Sequence, residues 1–307
     1  MSLYIKHRPT EFQQIVGNKS VVSYLANTLD SKTRKNFPHT ILLEGGTGCG
    51  KTTLARIIAD KLGCKGFDLK ELNVADLRGI DTVRSIIMQS QYKPIVQDSK
   101  CRVWIIDECH MMTTDAQNAF LKLLEDTPPH VYFILCTTNA NKLIKTIIGR
   151  CKRLVVEPLN DIEMRTLLRR VVKAEGKSLR RRVYEHIQVH SNGHPRNALQ
   201  SLEIALSVPL GEQLEVIKKA QQEEEQSIEL CRALYSKKPW REINRILRGL
   251  KGTEPESIRR HVLGYASSIL LNKDDGQAAH IIEEFWEPLY DIGFPGLIMQ
   301  CYATIKG

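Results

Sequence analysis

The residues best suited to chemistry stand together as Gly45-Gly-Thr-Gly-Cys-Gly-Lys-Thr52. They follow a short apolar run, Thr40-Ile-Leu-Leu, and open a stretch, Lys51–Leu62, whose apolar residues recur with helical spacing. That is the G-x-x-x-x-G-K-[ST] pattern in a strand–loop–helix setting. Gly45, Gly46, Gly48 and Gly50 let backbone N–H groups close on phosphate oxygens, and the helix N-terminus adds favourable partial charge. Thr47, Cys49 and Thr53 complete the cradle. Lys51 would reach the terminal phosphates of ATP and Thr52 would hold Mg²⁺. The competing reading, a structural glycine-rich turn, is disfavoured by the strand before it and the helix after it.

A second apolar run, Val103-Trp-Ile-Ile-Asp-Glu108, delivers Asp107 to the carboxyl end of a strand, where it can reach the magnesium shell. Glu108 is then placed to orient or deprotonate an attacking water. Thr137-Thr-Asn139 ends a further strand. Asn139 would sit beside the γ-phosphate, or equally serve as an ordinary cap for the helix read at Asn141–Ile148.

Positioning these groups calls for a parallel α/β sheet. Thr40-Ile-Leu-Leu, Glu71-Leu-Asn-Val, Arg102-Val-Trp-Ile-Ile-Asp, Val131-Tyr-Phe-Ile-Leu-Cys and Arg153-Leu-Val-Val read as strands. Lys51–Leu62, Ile80–Gln91, Thr113–Glu125 and Asn141–Ile148 read as helices, with Asp81 and Thr113 as N-caps. After Pro158 strand patterns stop. Asp161–Ala174, Leu179–His190 and Pro195–Leu206 form a small helical unit, and Glu212–Gly307 is helical again. The expected division is 1–157 a nucleotide-binding α/β domain, 158–208 a small helical domain, and 209–307 a second helical domain.

The 307 residues, 42% apolar and 26% charged, fit an ordinary globular chain. The longest stretch without Asp, Glu, Lys or Arg, Thr127–Asn141, falls short of the ~20 residues of a membrane helix. No apolar signal segment opens the chain, so a cytoplasmic address is expected. Eight cysteines are scattered without a C-x-x-C pair, which points to neither a zinc site nor a redox pair. The net charge of +9 permits a polyanionic partner without requiring one.

These motifs resemble the AAA+ clamp-loader family: the bacterial gamma/tau subunit, the small subunits of replication factor C, and phage counterparts. Tyr4-Ile-Lys-His-Arg-Pro-Thr-Glu-Phe-Gln-Gln-Ile-Val-Gly17 is similar to the family's N-terminal signature, which implies that Tyr4, Arg8, Pro9, Ile15 and Val16 contact the nucleoside. Asp107-Glu-Cys-His-Met and Ala116-Gln-Asn-Ala-Phe-Leu-Lys-Leu-Leu-Glu-Asp-Thr-Pro-Pro129 resemble the gamma/tau version. Gly193-His-Pro-Arg-Asn-Ala-Leu199 matches the sensor-2 motif, implying that Arg196 contacts the γ-phosphate. Gly149-Arg-Cys151 stands where the family has Ser-Arg-Cys, which makes Arg150 an arginine finger acting in trans on a neighbour's ATP. The bacterial four-cysteine zinc insert is absent, which shifts the match toward a phage or replication-factor-C-like small subunit. The resemblance implies that 1–157 is a RecA-like AAA+ domain, 158–208 its helical lid and 209–307 an oligomerising collar, although over the last hundred or so residues only length and helicity match.

The resemblance implies as partners other loader subunits, in a homo- or hetero-oligomer expected to be a pentamer, a sliding clamp, and primer–template DNA. Arg78-Gly-Ile-Asp-Thr-Val-Arg84 resembles a DNA-facing segment, so Arg78 and Arg84, then Lys93 and Lys122, are candidate DNA contacts. The alternative is basic residues on a solvated helix. Gln117 could link the Asp107–Glu108 strand to that helix. Ile87, Met88 and Tyr92 fall where the family meets its clamp, although an apolar stripe that includes Ile86 is more often core. The basic cluster Arg165, Arg169, Arg170, Lys173, Lys177 and Arg180–Arg182 reads as a solvated face. Asp107-Glu-Cys-His110 spells a DExH helicase box, but the helical second half lacks the second core domain a helicase needs. A helicase loader or branch-migration motor remains the other AAA+ reading.

Overall fold

Five short apolar runs become five parallel strands in a computed structural model that describes residues 1–30, 36–73, 80–271 and 273–306. They are β1 (Thr40–Glu44), β2 (Leu69–Asn73), β3 (Arg102–Asp107), β4 (Val131–Thr137) and β5 (Lys152–Val155), in the order β2-β3-β4-β1-β5. Alternation along the strands sends Leu42, Trp104, Ile106, Phe133 and Leu135 to one face, and Ile41, Leu43, Val103, Ile105, Ile134 and Cys136 to the other. The second face packs on α2 (Lys19–Thr28) and α3 (Lys51–Lys61). The first is covered by α4 (Ile80–Ser90), α5 (Thr114–Glu125) and α6 (Lys145–Arg150). Both central strands are buried along nearly their whole length, which explains their unbroken apolar sequence.

Most boundaries agree with the sequence reading to a residue or two, the usual uncertainty of fraying ends. Three differences have physical causes. Asp81 lies inside the first turn of α4, so it favours the helix dipole rather than capping the end. The helix expected at Asn141–Ile148 starts only at Lys145, after a 3₁₀ turn at Ala140–Lys142. Buried Gln117 is the reason: its amide donates to Lys142 O (3.4 Å) and accepts from the Ile144 N–H (2.8 Å), holding Ile144 extended. Gln117 also donates to Met112 O (3.1 Å), so it ties the turn after β3 to the turn after β4 and does not reach toward α4. Finally, α1 (Leu3–Lys6) and α2 go unread in the sequence, because α2 buries only Val21 and Leu25 along a β-branched, polar stretch.

Three further helices follow the sheet: α7 (Asp161–Ala174), α8 (Arg181–His190) and α9 (Pro195–Leu206). A capping box starts α7, with the Asn160 side chain accepting from the Ile162 and Glu163 N–H groups and Glu163 accepting from the Asn160 N–H. Pro195 occupies the first turn of α9, where its missing N–H costs nothing. All of this lies in one compact unit, Met1–Gln213. Among the described residues no helix is long and apolar enough to cross a membrane.

The second unit, Leu214–Gly307, holds most of α10 (Gln213–Tyr235), then α11 (Trp240–Gly249), α12 (Pro255–Leu270), α13 (Gly276–Glu284) and α14 (Gly293–Lys306). Its core gathers Leu234, Ile246, Val262, Ile281, Phe285 and Leu297. A buried ion pair within α12 is tied to the segment between α13 and α14: Glu256 accepts two hydrogen bonds from the Arg259 guanidinium (2.7 and 2.8 Å) and one from the Leu289 N–H (3.0 Å). The Arg259 contacts first, then the Leu289 N–H, hold the Glu256 carboxyl down at about 2 against the opposing effect of burial. A depressed carboxyl stabilises the fold above its unfolded value near 4.5 and ceases to as pH falls toward about 2. Denaturant titrations of wild type and Glu256→Gln should therefore differ most at neutral pH, and the difference should shrink progressively across that window.

Candidate nucleotide-binding site

Where β1 ends, the chain turns tightly into α3. A Cβ on Gly45 would lie 2.2 Å from Val156 O, and Gly48 combines φ +77° with a Cβ direction only 3.1 Å from Arg196 Cβ. Side chains at either position would fill the cradle or push its walls apart. Lys51, at the head of α3, is buried, and its ammonium donates to the carbonyls of Gly45 (2.9 Å) and Gly46 (3.0 Å). The Thr52 hydroxyl donates to Asp107 Oδ2 at 2.7 Å. Sequence positions far apart thus converge at the carboxyl ends of the strands.

Glu108 follows Asp107 in a left-handed conformation (φ +49°), uncommon for a non-glycine residue, and its N–H donates to Asp107 Oδ1 (3.0 Å). That turn aims its carboxylate at β4's end, where Thr138 Oγ1 donates to Glu108 Oε2 (3.1 Å). His110 Nδ1 lies 3.2 Å from the same oxygen and 3.1 Å from Thr137 Oγ1. Desolvation, chiefly, lowers the His110 pKa, with Glu108 opposing, so the imidazole favours its neutral form. His110 and Thr138 are site neighbours that the sequence reading did not single out. Both stand inside motifs of the sequence, His110 in Asp107-Glu-Cys-His110 and Thr138 in Thr137-Thr-Asn139, which gave neither a role of its own.

The other end of the cleft is built by the N-terminal strap and the last three helices of the unit. Ser2 Oγ donates to Glu203 on α9 (2.5 Å), while Lys6 Nζ and His7 Nε2 meet Glu175 after α7 (2.8 and 2.5 Å). These ties lay Tyr4, Arg8 and Pro9 along the opening, opposite Ile15, Val16, Leu159, Leu167 and Leu199. Arg196 stands with its guanidinium 5.8 Å from the Tyr4 ring centroid. Burial, followed by the Arg56 guanidinium, lowers the Arg8 pKa, with Arg196 adding to the effect and Glu71 and Tyr4 opposing it. Crowded guanidiniums create a positive potential that an anion would relieve.

The resulting cleft measures about 400 Å³. One end is lined by aliphatic side chains. At the other stand Thr47, Gly48, Cys49, Gly50, Lys51, Thr52, Thr53, Asp107, Glu108 and Arg196. This polarity, with an apolar slot beside a cationic, glycine-rich loop, fits a nucleoside triphosphate. The Thr52–Asp107 oxygen pair fits magnesium, which takes few protein ligands and completes its shell with water and phosphate. Arg170, read as part of a solvated face, is exposed but edges the cleft, and it donates to Gln14 O (2.5 Å).

Other candidates lie elsewhere. Asn139 is exposed at the start of the 3₁₀ turn after β4, makes no side-chain cap, and does not line the cleft. Arg150, the last residue of α6, pairs with Glu125 on α5 and donates to Thr146 O (3.1 Å), outside its own chain's cleft. Arg84 is exposed and paired with Asp81 (3.0 Å), and Lys93 and Lys122 are exposed. Arg78 lies outside the described residues. Within the α4 stripe, Ile86 is core and Ile87 packs partly against it, whereas Met88 and Tyr92 are 58% and 61% exposed.

Strand order, glycine loop and paired carboxylates define the class as a P-loop AAA+ nucleotide-binding domain with a helical C-terminal region. Solved structures agree on the fold. The Holliday junction branch migration motor RuvB of Thermotoga maritima superposes with a TM-score of 0.57 at 20% identity, covering 69% of this chain and 72% of that one. A point mutant of the same motor gives 0.59 at 18% identity over 74% and 79%. At such identities the likeness is one of fold alone.

Sequence relatives are more specific. Residues 68–160 match the family described as DNA polymerase III, delta subunit. DNA polymerase III subunit gamma/tau of Mycobacterium tuberculosis is 34% identical over 230 residues, covering 67% of this chain and 39% of that protein. The gamma subunit of Buchnera aphidicola is 32% identical over 222 residues (66% and 60%), and the tau subunit of Bacillus subtilis 33% over 227 (67% and 39%). The chain thus spans between about two fifths and three fifths of these relatives' lengths. These matches support the resemblance to an AAA+ clamp-loader subunit drawn from the motifs. Because Lys51 supplies the cradle's buried cation, Lys51→Ala should weaken ATP binding by about tenfold or more, as loss of a charge-assisted donor does, in a calorimetric titration of the full chain.

Proposed function

We propose that the chain is an ATPase subunit of a DNA sliding-clamp loader. The observation that carries this reading is the way these residues divide: Lys51, Thr52, Asp107, Glu108 and Arg196 converge in one cleft, while Arg150 lies outside it, paired with Glu125. ATP binding drives assembly with other loader subunits, expected to form a pentamer, on the clamp and primer–template DNA. Hydrolysis then releases the loaded clamp. All of this would take place in the cytoplasm.

Within the cleft, Tyr4, Arg8, Pro9, Ile15 and Val16 hold the nucleoside, and the loop from Gly45 to Thr53 holds the phosphates. Thr52 and Asp107 would hold Mg²⁺, which neutralises phosphate charge when bound. Glu108 is the acceptor for the attacking water's proton. Its hydrogen bond from Thr138 and the nearby His110 fix the carboxylate, and Asn139, two residues past β4, would act beside the γ-phosphate only by turning in from its exposed position outside the cleft. Arg196 acts on the γ-phosphate from the chain's own α9, and Arg150 acts on the phosphate of an adjacent subunit. Arg78, Arg84, Lys93 and Lys122 would contact phosphates of DNA, and Ile87, Met88 and Tyr92 the clamp. The 158–208 and 209–307 segments serve as lid and oligomerisation collar.

The test is ATP hydrolysis by the assembled complex with clamp and primer–template. Stimulation should appear with both ligands and weaken as salt rises. Glu108→Gln should retain ATP while hydrolysis falls about a hundredfold or more, as loss of a general base does. Arg150→Ala should cut stimulated hydrolysis at least about tenfold while leaving ATP binding by its own chain unchanged. Stimulated hydrolysis unaffected by Arg150→Ala would refute the in-trans assignment.

A further inference from the structure

One contact in the cleft joins two elements that the nucleotide reading treats separately. The Cys49 Sγ and the His194 Nδ1 lie 3.3 Å apart, within range of a thiol–imidazole hydrogen bond. Cys49 belongs to the phosphate loop and is only 6% exposed. His194 is the residue immediately before α9, and its own N–H donates to Ser191 O (2.8 Å). Two positions later comes Arg196.

The fit around this contact is close. A Cβ on Gly46 would stand 2.8 Å from His194 Cε1 and 3.4 Å from Cys49 Sγ, and one on Gly48 would stand 3.1 Å from Arg196 Cβ. The loop's apex therefore lies directly against the first turn of α9, with the thiol–imidazole pair as the polar link across the seam. Burial, chiefly, raises the Cys49 pKa, with Lys51 opposing, which keeps the sulfur a neutral thiol and suits it to a hydrogen bond rather than to nucleophilic chemistry.

We propose that Cys49 and His194 are a positioning pair that couples the phosphate loop to α9 and so sets the place of Arg196 over the terminal phosphate. Neither side chain needs to touch the nucleotide. The loop's backbone holds the phosphates, and its geometry is passed through the Cys49 side chain to the residue that begins α9. The pair thus favours the triphosphate over the diphosphate, because only the former offers Arg196 its partner. This inference rests on the nucleotide-site reading and on the role given there to Arg196.

Calorimetric titration of the full chain with ADP and with a slowly hydrolysed ATP analogue, ATPγS, tests it. Cys49→Ala and His194→Ala should each lower ATPγS affinity about fivefold more than they lower ADP affinity, the worth of one ordinary hydrogen bond. The double variant should lose no more than either single one, because both remove the same link. Cys49→Ser, which keeps a hydroxyl donor, should restore much of the preference, and His194→Asn serves in place of His194→Ala if the latter fails to fold. Equal losses for ADP and ATPγS, additive losses in the double variant, or a Cys49→Ser variant no better than Cys49→Ala would overturn the proposal. A wild-type chain that binds neither nucleotide would overturn the reading of the cleft itself, and this pair's role with it.

Discussion

The site depends on the register of three parallel strands. Glu44 at the end of β1 pairs with Thr137, and Ile106 in β3 pairs with Leu135, so β1, β3 and β4 finish at one edge. Since β4 stands between the other two, the 2.7 Å contact from Thr52 to Asp107 bridges elements that are not neighbours in the sheet. A one-residue slip would turn Trp104 and Ile106 out of one helical layer into the other, and would carry Asp107 away from Thr52. Burial on both faces forbids that slip. The hydrophobic core and the geometry of the carboxylates are therefore one constraint.

That coupling explains what could be read in the sequence. A loop that wraps phosphate needs glycine where Val156 O and Arg196 press against it, and a helix that starts on the phosphate needs Lys51 and Thr52 in its first turn. Such demands are local, so they leave a pattern in consecutive residues. β3 and β4 were legible for the same reason: full burial forces unbroken apolar runs. Long-range ties leave no such trace. Nothing near Lys6 and His7 announces that Glu175 will hold them, and nothing near Gln117 shows that its amide will delay α6 until Lys145. Arg170 looked like its basic neighbours because charge along one helix does not reveal which member overhangs a cleft.

A similar long-range tie fixes the segment after α4. Asp68 and Arg102 form an ion pair (3.2 Å) in which both side chains are buried. Burial by itself pushes the Asp68 carboxyl up, yet the N–H groups of Ile95 and Val96 and the Arg102 guanidinium hold it below its usual value. Arg102 meanwhile donates to the carbonyls of Gln89 and Lys93. Such a pair contributes little net stability once desolvation is counted, and its value lies in specificity. It takes up the Gln89 and Lys93 carbonyls and the Ile95 and Val96 N–H groups, and so sets the path of a segment on which Tyr92 and Ile95 are exposed.

Arg150 illustrates the opposite arrangement. Its guanidinium pairs with Glu125, whose side chain is about half exposed, and with one carbonyl of its own helix. A pair so open to water is worth little, because solvent screens it and both side chains regain freedom when it parts. In the proposed role, exchanging Glu125 for a doubly charged phosphate oxygen cluster would therefore cost little and gain a stronger, charge-assisted contact. Arg8 and Arg196, by contrast, already crowd one another inside the chain's own cleft. On the proposed assignment, a further guanidinium placed there from within would deepen that repulsion beside Arg8, Arg170 and Arg196, whereas one brought by an adjacent subunit would meet bound phosphate. Placing Arg150 outside the cleft would thus keep its charge available to an adjacent subunit while sparing its own cleft that repulsion.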